Sequence, residues 1–217
     1  MLEAPSKQIM LAKLGLMLRE QGVENQEILA AIEAIPAKLF FSSDLQQDIF
    51  EDTPMVIGCG QTSLTISDTA RMIALLSIKD TNSVLEIGTG SGYTTAILSK
   101  LAAKVITIER QKKLADLARH KFSYLDLRNI IAYHEDGLEG YPPKSPYHRI
   151  LVNVSVPSPP AQLLEQLAVG GIMVAPVGPP GELQQLCRYT RRRQEIHFEY
   201  VCQMYAVSAT PGKAYGD

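Results

Sequence analysis

A glycine-rich turn between an apolar run and a helical segment constrains the fold of this chain more than any other feature. Val84–Ile87 has the character of a buried strand, glycines follow at 88, 90 and 92, and Thr94–Ala103 has helical character. A strand, a glycine turn and a helix in succession are typical of α/β sheets, where backbone N–H groups at the helix start face a nucleotide-like ligand. The sequence therefore predicts an α/β fold with a ligand site at this turn.

The spacing of these glycines distinguishes two classes of cofactor. The dinucleotide-binding pattern G-x-G-x-x-G needs its third glycine at position 93, which is Tyr93. The chain has E-x-G-x-G-x-G instead, from Glu86 to Gly92. This pattern favours S-adenosylmethionine, which has no pyrophosphate to hold, over NAD. A dehydrogenase is therefore the weakest alternative.

Apolar runs alternate with helical segments from Val84 onward. Strands are predicted at Val84–Ile87, Val105–Glu109, Ile130–Tyr133, Ile150–Val154 and Gly171–Pro176, and helices at Thr69–Leu76, Tyr93–Leu101, Lys112–Leu125 and Pro160–Leu167. Short apolar runs separated by helices are typical of a parallel sheet that is covered on both faces. Two later extended segments, 183–190 and 196–207, predict an antiparallel hairpin at a sheet edge.

The predicted fold is a Rossmann-like, doubly wound and mostly parallel α/β sheet with an N-terminal helical extension and C-terminal antiparallel strands. The length of 217 residues fits one domain. Within it, we expect residues 1–78 to form the helical extension and cover the site, and 79–180 to form the core. Residues 181–208 are expected to add the C-terminal strands, and 209–217 a frayed tail. Phe40–Thr53 is predicted to be an irregular or short helical connection.

Two acidic residues follow predicted strands near the glycine turn. Glu109 lies about 20 positions after Gly88, the offset at which an acid binds a ribose. Asp136, followed by Gly137, can accept from an adenine amino group at the same sheet edge. The alternatives are a surface glutamate at position 109 paired with Arg110 or Lys112, and an Asp-Gly turn at 136–137. Together with the glycine turn, the two acids favour an adenosine site.

Composition excludes several classes of function. A net charge of -2 and one short cluster, Arg191–Arg193, are too little positive charge for nucleic-acid binding. The four histidines and three scattered cysteines lack metal-ligand spacing, so no metal is expected. The cysteines also form no disulfide framework, and no stretch is apolar enough to span a membrane. We expect a monomeric cytoplasmic protein without membrane or nucleic-acid partners.

Further segments carry a more specific pattern. They are Ile28–Ile32 with Pro36, Ile57–Thr62, Val84–Ala96, Ile108–Arg110, Asp136–Gly137, Gly170–Gly171 and Pro176–Gly178. With these segments the chain resembles the protein-L-isoaspartate O-methyltransferase family from about Leu18 to Val207. The I-G-x-G-Q-T segment ahead of the glycine turn is the most specific part of the resemblance.

The resemblance implies a Rossmann-like methyltransferase that uses S-adenosylmethionine. The family methylates the free α-carboxyl of L-isoaspartyl residues in damaged proteins. The ester then collapses to a succinimide, which hydrolyses partly to aspartate. The partners implied for this chain are therefore isoaspartyl-containing proteins or peptides.

Two sets of site residues follow from the motifs and the resemblance. The cofactor set is Gln61, Thr62, Glu86, Gly88, Thr89, Gly90, Ser91, Gly92, Glu109, Arg110, Asp136 and Gly137. The catalytic set on the substrate side is Thr62, Ser63 and Leu64. The family continues G-Q-T-I-S-x-P, and the ungapped register places Leu64 at the position of the serine and Ile66 at that of the proline.

Methyl transfer to a carboxylate needs no general base, because the acceptor, with a reference pKa of about 4, is already ionised at neutral pH. Positioning and desolvation of the acceptor can carry the rate. Two alternatives remain open on the same scaffold. One is a methyltransferase with a different acceptor, and the other is a cofactor-binding protein without catalysis. Ser63 and Leu64 are the residues that separate them.

Overall fold

Nine strands and six α-helices form the part of the chain that the structure, a computed structural model, describes: residues 7–20, 22–41, 52–193 and 195–215. The strands are β1 (Val56–Gly58), β2 (Gln61–Thr62), β3 (Ser83–Ile87), β4 (Lys104–Glu109), β5 (Ile130–His134), β6 (Tyr147–Val152), β7 (Leu167–Val177), β8 (Gln184–Arg192) and β9 (Glu195–Met204). The helices are α1 (Lys7–Glu20), α2 (Gln26–Ala34), α3 (Ile66–Leu76), α4 (Tyr93–Leu101), α5 (Lys112–Tyr124) and α6 (Ala161–Glu165).

Seven of the strands form one sheet in the order β5-β4-β3-β6-β7-β8-β9. Strands β3 to β7 run parallel, whereas β8 and β9 pair antiparallel at one edge. The strand order changes direction at β3, which has β4 on one side and β6 on the other. Such a switch point leaves a crevice beyond the carboxyl ends of the strands. The site is therefore expected beyond β3, β4 and β6.

Both faces of the parallel strands are covered. On β3, Val84 joins a core built with α1 to α4, while Leu85 and Ile87 join a second core on the opposite face. The second core includes Leu163 of α6 and packs against Leu138, which lies in a single 3-10 turn. Because side chains alternate between two buried faces, these strands are apolar at nearly every position. This explains the continuous apolar runs of the sequence.

The N-terminal helices α1 and α2 pack on the face of the sheet that α3 and α4 also cover. In α2 the buried residues include Ile28 and Ile32, and the side chain of Asn25 accepts from the first backbone N–H groups of the helix. The predicted connection Phe40–Thr53 lies largely outside the described residues, which stop at 41 and resume at 52. In the described ranges, no helix is both long and apolar enough to cross a membrane.

The fold class predicted from sequence is confirmed, with differences at several boundaries. Helix α3 begins at Ile66 and not at Thr69, because the Thr65 hydroxyl caps it by accepting from Asp68 N. The helix predicted over 160–167 ends at Glu165, since β7 already begins at Leu167. Strand β6 starts earlier than predicted, at Tyr147, and ends at Val152 rather than Val154.

The prediction of a frayed tail is wrong for residues 210–215. This segment returns to the end of β4, where Ala214 N donates to Arg110 O at 2.7 Å and forms a β-bridge with Gln111. Residues 210–215 make these contacts mainly through their own backbone, to backbone and side-chain atoms of the β4 and β5 ends. The side chains of this segment show no hydrophobic pattern that would reveal the contacts, so the sequence alone predicted a frayed tail.

Candidate active site

A cavity of about 910 Å³, including its open mouth, lies beyond the carboxyl ends of β3, β4, β5 and β6. Six segments line it: 61–64, 87–91, 108–111, 136–138, 153–154 and 207–210, together with Ile57, Thr94 and Leu114. Most of the predicted site residues therefore come together in one cavity. The exceptions are Glu86 and Gly92, which do not line it.

The glycine turn brings bare backbone to the cavity wall. Gly90 and Gly92 have φ of 54° and 89°, a left-handed conformation that favours glycine. A Cβ on Gly90 would lie 3.0 Å from Ile57 Cδ1, and one on Gly92 would lie 2.9 Å from Phe122 Cε1. Gly90 thus faces the cavity, whereas Gly92 lets α4 pack against α5. Gly92 therefore affects the site only through the packing of the turn against α5 and does not line the cavity.

Glu109 lies at the end of β4 and is only 6% exposed. Its Oε2 accepts from Gly90 N at 2.9 Å, and its Oε1 accepts from Gln111 N at 2.8 Å. A carboxylate oxygen has a second acceptor site, so both oxygens remain able to accept from a ligand. The side chain thus connects the glycine turn to the β4 end and offers a pair of acceptors in the cavity.

Asp136 and Gly137 line the cavity beyond β5. The Asp136 carboxylate accepts from Leu138 N at 3.0 Å and from Gly212 N at 2.6 Å, so its orientation is fixed from two sides. A Cβ on Gly137 would lie 2.5 Å from Ile87 Cγ2, which leaves room for glycine alone. The backbone at Gly137 consequently approaches the end of β3 closely.

Glu86 was predicted to bind the cofactor, but the structure places its side chain behind the wall. It is fully buried and accepts from Thr95 and Thr107 hydroxyls and from Asn153 Nδ2, the last two at 2.6 and 2.9 Å. The reason is strand alternation: Glu86 points to the same face of β3 as Val84, which is the face covered by α1 to α4. Glu86 therefore does not reach the cavity itself, and it holds Asn153, the residue after β6 that also donates to Gly88 O in the glycine turn.

Burial raises the pKa of Glu86 from 4.5 to about 7, although the hydrogen bonds from Thr107, Thr95 and Asn153 lower it. The folded protein holds this proton more tightly than the unfolded chain. The contribution of Glu86 to stability is therefore full below pH 4.5 and is lost as the pH rises to about 7.

Glu86→Gln is expected to remove this pH dependence. Relative to the wild type, the free energy of unfolding of the variant should rise by about 3 kcal/mol between about pH 4.5 and pH 8, because the wild type alone ionises a buried group. Denaturant unfolding across that range measures the difference. Glu199→Gln, at an exposed position of β9, is the control. Parallel pH profiles for Glu86→Gln and the wild type would contradict the prediction.

The substrate-side set begins at the end of β2 and continues directly after it, and it lines the same cavity. Ser63 is held by Met55: Ser63 N donates to Met55 O at 2.8 Å, and Met55 N donates to Ser63 Oγ at 3.1 Å. The Ser63 hydroxyl therefore keeps its own proton for a ligand. Leu64 packs partly against the core and also lines the cavity, as does Thr62. All three predicted residues thus face the cavity.

Sequence reasoning missed Asn153, which lines the cavity at the end of β6. Its Nδ2 donates to Glu86 Oε1 and to Gly88 O, at 2.9 and 3.0 Å. Its buried Oδ1 has no hydrogen-bond partner among the described residues. The predicted strand extended to Val154, and this hid an asparagine at a strand's carboxyl end. Residues 207–210 were also missed, since Val207 is the last residue of the predicted hairpin and 208–210 lie beyond it.

Lys121 ties the N-terminal extension to the glycine turn. Its Nζ donates to Phe40 O at 3.3 Å and to Ser91 O at 3.0 Å, and it lies over the Phe40 ring. Burial lowers the pKa of Lys121.

Across the described ranges, no group of three or more His, Cys, Asp or Glu side chains is placed to hold a metal ion.

Residues 10–214 match the sequence model of a family described as Protein-L-isoaspartate(D-aspartate) O-methyltransferase. The chain belongs to this family. A relative named Protein-L-isoaspartate O-methyltransferase, from Xanthobacter autotrophicus, is 40% identical over 197 residues, which cover 91% of this chain and 90% of the relative. The family indicated by the sequence motifs is thus confirmed.

Solved structures of proteins described in the same terms have this fold. A protein-L-isoaspartate O-methyltransferase structure superposes with a TM-score of 0.83 at 25% identity, covering 92% of this chain and 66% of that one. A second, from Plasmodium falciparum, has a TM-score of 0.78 at 20% identity and covers 95% of this chain and 99% of its own. That protein is in complex with S-adenosyl-L-homocysteine.

Proposed function

We propose that this protein is an S-adenosylmethionine-dependent methyltransferase that esterifies the free carboxyl of L-isoaspartyl residues in damaged proteins. The observation that carries the proposal is that one cavity is lined both by the glycine turn with Glu109 and by Thr62–Leu64 of the G-Q-T segment. Membership of the family supports the reaction and its cofactor. The residues proposed to bind the cofactor and those proposed to bind the methyl acceptor thus line the same cavity.

The cavity fits S-adenosylmethionine. Glu109 offers two acceptors for the vicinal hydroxyls of a ribose, and Asp136 offers an acceptor for an adenine amino group. At Gly88 and Gly90 an added Cβ would lie 3.2 Å from Val154 Cγ1 and 3.0 Å from Ile57 Cδ1, so glycine keeps this part of the cavity wall uncrowded. Asn153 Oδ1 still needs a donor, and the methionyl ammonium of the cofactor is one. The predicted cofactor set, apart from Glu86 and Gly92, is proposed to contact the ligand.

The chemistry that the cofactor supplies is an electrophilic methyl group on a sulfonium. Transfer of that methyl group to an ionised substrate carboxylate would leave S-adenosyl-homocysteine and would need no proton movement, so no residue of this chain has to act as a general base. The hydroxyls of Thr62 and Ser63 can orient the carboxylate as donors. Leu64 and Ile57 exclude water from the same wall, which strengthens these contacts.

A methyl-transfer assay tests the proposal directly. The protein with S-adenosylmethionine is expected to form a base-labile methyl ester on an isoaspartyl peptide, and none on the same peptide with ordinary aspartate. Calorimetry with S-adenosyl-homocysteine checks that the cofactor site is intact. If the protein binds S-adenosyl-homocysteine but forms no ester on the isoaspartyl peptide, the proposed substrate is wrong and the proposed cofactor still stands.

A second acceptor class on the same scaffold is favoured by one observation, namely that Leu64 stands at the serine position of the family pattern and faces the cavity. Leu64→Ser is the discriminating variant. A variant that gains or strongly raises isoaspartyl methylation would favour a different natural acceptor, or a cofactor-binding protein without catalysis. An unchanged rate would favour isoaspartyl recognition through backbone groups.

The proposal also covers the number of domains, the location, the absence of nucleic-acid partners and the oligomeric state. We propose one methyltransferase domain, since a single sheet runs from β3 to β9. A reducing, cytoplasmic location is supported by Cys59, Cys187 and Cys202, which are all free thiols. The net charge of -2 supports partners other than nucleic acid. A monomeric state is proposed as well, and light scattering of the purified protein tests it.

A further inference from the structure

The last described segment of the chain, residues 210–215, crosses the β4–β5 side of the cavity and is called the clasp here. It is anchored just upstream, where Ser155 N donates to Val207 O and Ala209 N donates to Ser155 O, both at 2.8 Å. From there residues 207–210 line the cavity. The clasp thus continues directly from the cavity wall.

The clasp holds cavity residues through its backbone. Gly212 N donates to Asp136 Oδ2 at 2.6 Å, and Gly212 O accepts from Arg110 Nε at 3.0 Å. Ala214 N donates to Arg110 O at 2.7 Å, and Ala214 O accepts from Lys112 N at 3.0 Å. One peptide segment therefore fixes Arg110 at the end of β4 and Asp136 beyond β5 relative to each other.

Side chains of the clasp add weaker contacts outside the cavity. The Tyr215 ring lies edge-on to His134, with 5.0 Å between ring centroids, and Lys213 Nζ lies 3.0 Å from Glu135 Oε2. The Lys213–Glu135 pair is exposed and is therefore expected to contribute little. His134 Nε2 lies within hydrogen-bond distance of both Arg110 O and Ala214 O, and since both are acceptors this nitrogen carries a proton.

We propose that the clasp is a positioning element for the adenosine end of the cofactor site and slows release of the cofactor. This rests on the proposed function, in which Asp136 faces the adenine. The Asp136 carboxylate accepts from two backbone N–H groups, Leu138 and Gly212, and hydrogen bonds to a charged acceptor are the stronger kind. Without the clasp, Asp136 and Arg110 would have to be ordered when the ligand binds, which lowers affinity.

Truncation is the first test, with S-adenosyl-homocysteine as the probe. A chain that ends at Thr210 is compared with one that ends at Tyr215, which keeps the clasp. We expect the dissociation constant to rise about 10-fold in the shorter chain, mainly through a faster off-rate, as for one lost charge-assisted hydrogen bond and re-ordered side chains. In turnover, KM for S-adenosylmethionine should rise more than kcat falls.

A point variant loosens the clasp without removing it. Gly212 has φ of 79° and no atom within 4 Å of an added Cβ, so Gly212→Ala strains the backbone without a clash. Gly181→Ala is a matched control, because Gly181 has φ of 77° and equally open space and does not line the cavity. Gly212→Ala should weaken binding in the same direction as truncation, and Gly181→Ala should leave it unchanged.

Hydrogen exchange on the full chain covers the case in which the shorter chain fails to fold. Saturating S-adenosyl-homocysteine should slow exchange at the amides of Gly212 and Ala214, because ligand and clasp hold the same residues. Equal affinity and off-rate in the truncated chain and its control, or unchanged exchange at these amides, would overturn the proposal. If the full chain does not bind the probe, the cofactor assignment itself fails, and the clasp proposal fails with it.

Discussion

Replacing Glu109 with alanine is expected to weaken binding of S-adenosyl-homocysteine by about 1.5–3 kcal/mol, or roughly 10- to 100-fold in the dissociation constant. The carboxylate is the proposed acceptor for both ribose hydroxyls, and a bond to a charged acceptor has this magnitude. It also holds Gly90 N and Gln111 N, which line the same cavity. Calorimetry measures the loss.

Two variants separate these roles of Glu109. Glu109→Gln keeps the shape and one acceptor oxygen, so its loss should be smaller than that of the alanine variant. Glu199→Ala removes a carboxylate on β9 that pairs with Arg188 and does not line the cavity, and affinity should not change. An unchanged affinity for Glu109→Ala would mean that the ribose is bound elsewhere.

Gly92→Ala is expected to lower the free energy of unfolding by about 2–5 kcal/mol. The φ of 89° costs an L-residue about 1–2 kcal/mol, and the added Cβ would lie 2.9 Å from Phe122 Cε1 and 3.2 Å from Ala118 Cβ. Overpacking of this kind typically costs about 1–3 kcal/mol more. Denaturant unfolding of the variant and the wild type measures the change.

The second part of this cost can be isolated with Phe122→Leu, which removes the ring atoms nearest to the new Cβ. In that background Gly92→Ala should be less destabilising, by about 1 kcal/mol or more, since only the backbone strain and the Ala118 contact remain. If both backgrounds show the same loss, the contact with Phe122 is not responsible. Gly181→Ala, which combines a positive φ with open space, reports the strain alone.

The parts of the site predicted from sequence are those that depend on neighbours along the chain. The glycine turn follows directly on β3, and Glu109 ends β4, so the pattern of strand, turn and helix places both at one sheet edge. Because parallel strands place all their carboxyl ends at one edge, Asp136 follows by the same reasoning. The G-Q-T segment was assigned only through its resemblance to a family, since no local rule brings it to this cavity.

Three features escaped the sequence because they depend on contacts between distant segments. Strand alternation places Glu86 on the same face as Val84, but its role there depends on Thr95 of α4 and Thr107 of β4, whose hydroxyls donate to it. Asn153 was concealed in an apolar run whose end is set by the tertiary structure. The clasp is fixed by hydrogen bonds of its backbone to residues about a hundred positions away in sequence, as in the bond from Ala214 N to Arg110 O.

The sequence by itself thus determined the fold class, the family and the edge of the sheet at which the site lies, because hydrophobic periodicity and glycine spacing are local properties of the chain. Only the tertiary structure decided that Glu86 lies outside the cavity, where Thr62–Leu64 lie relative to the glycine turn, and how residues 210–215 are held. Those outcomes depend on packing and on hydrogen bonds between segments far apart in sequence, and no local pattern encodes them.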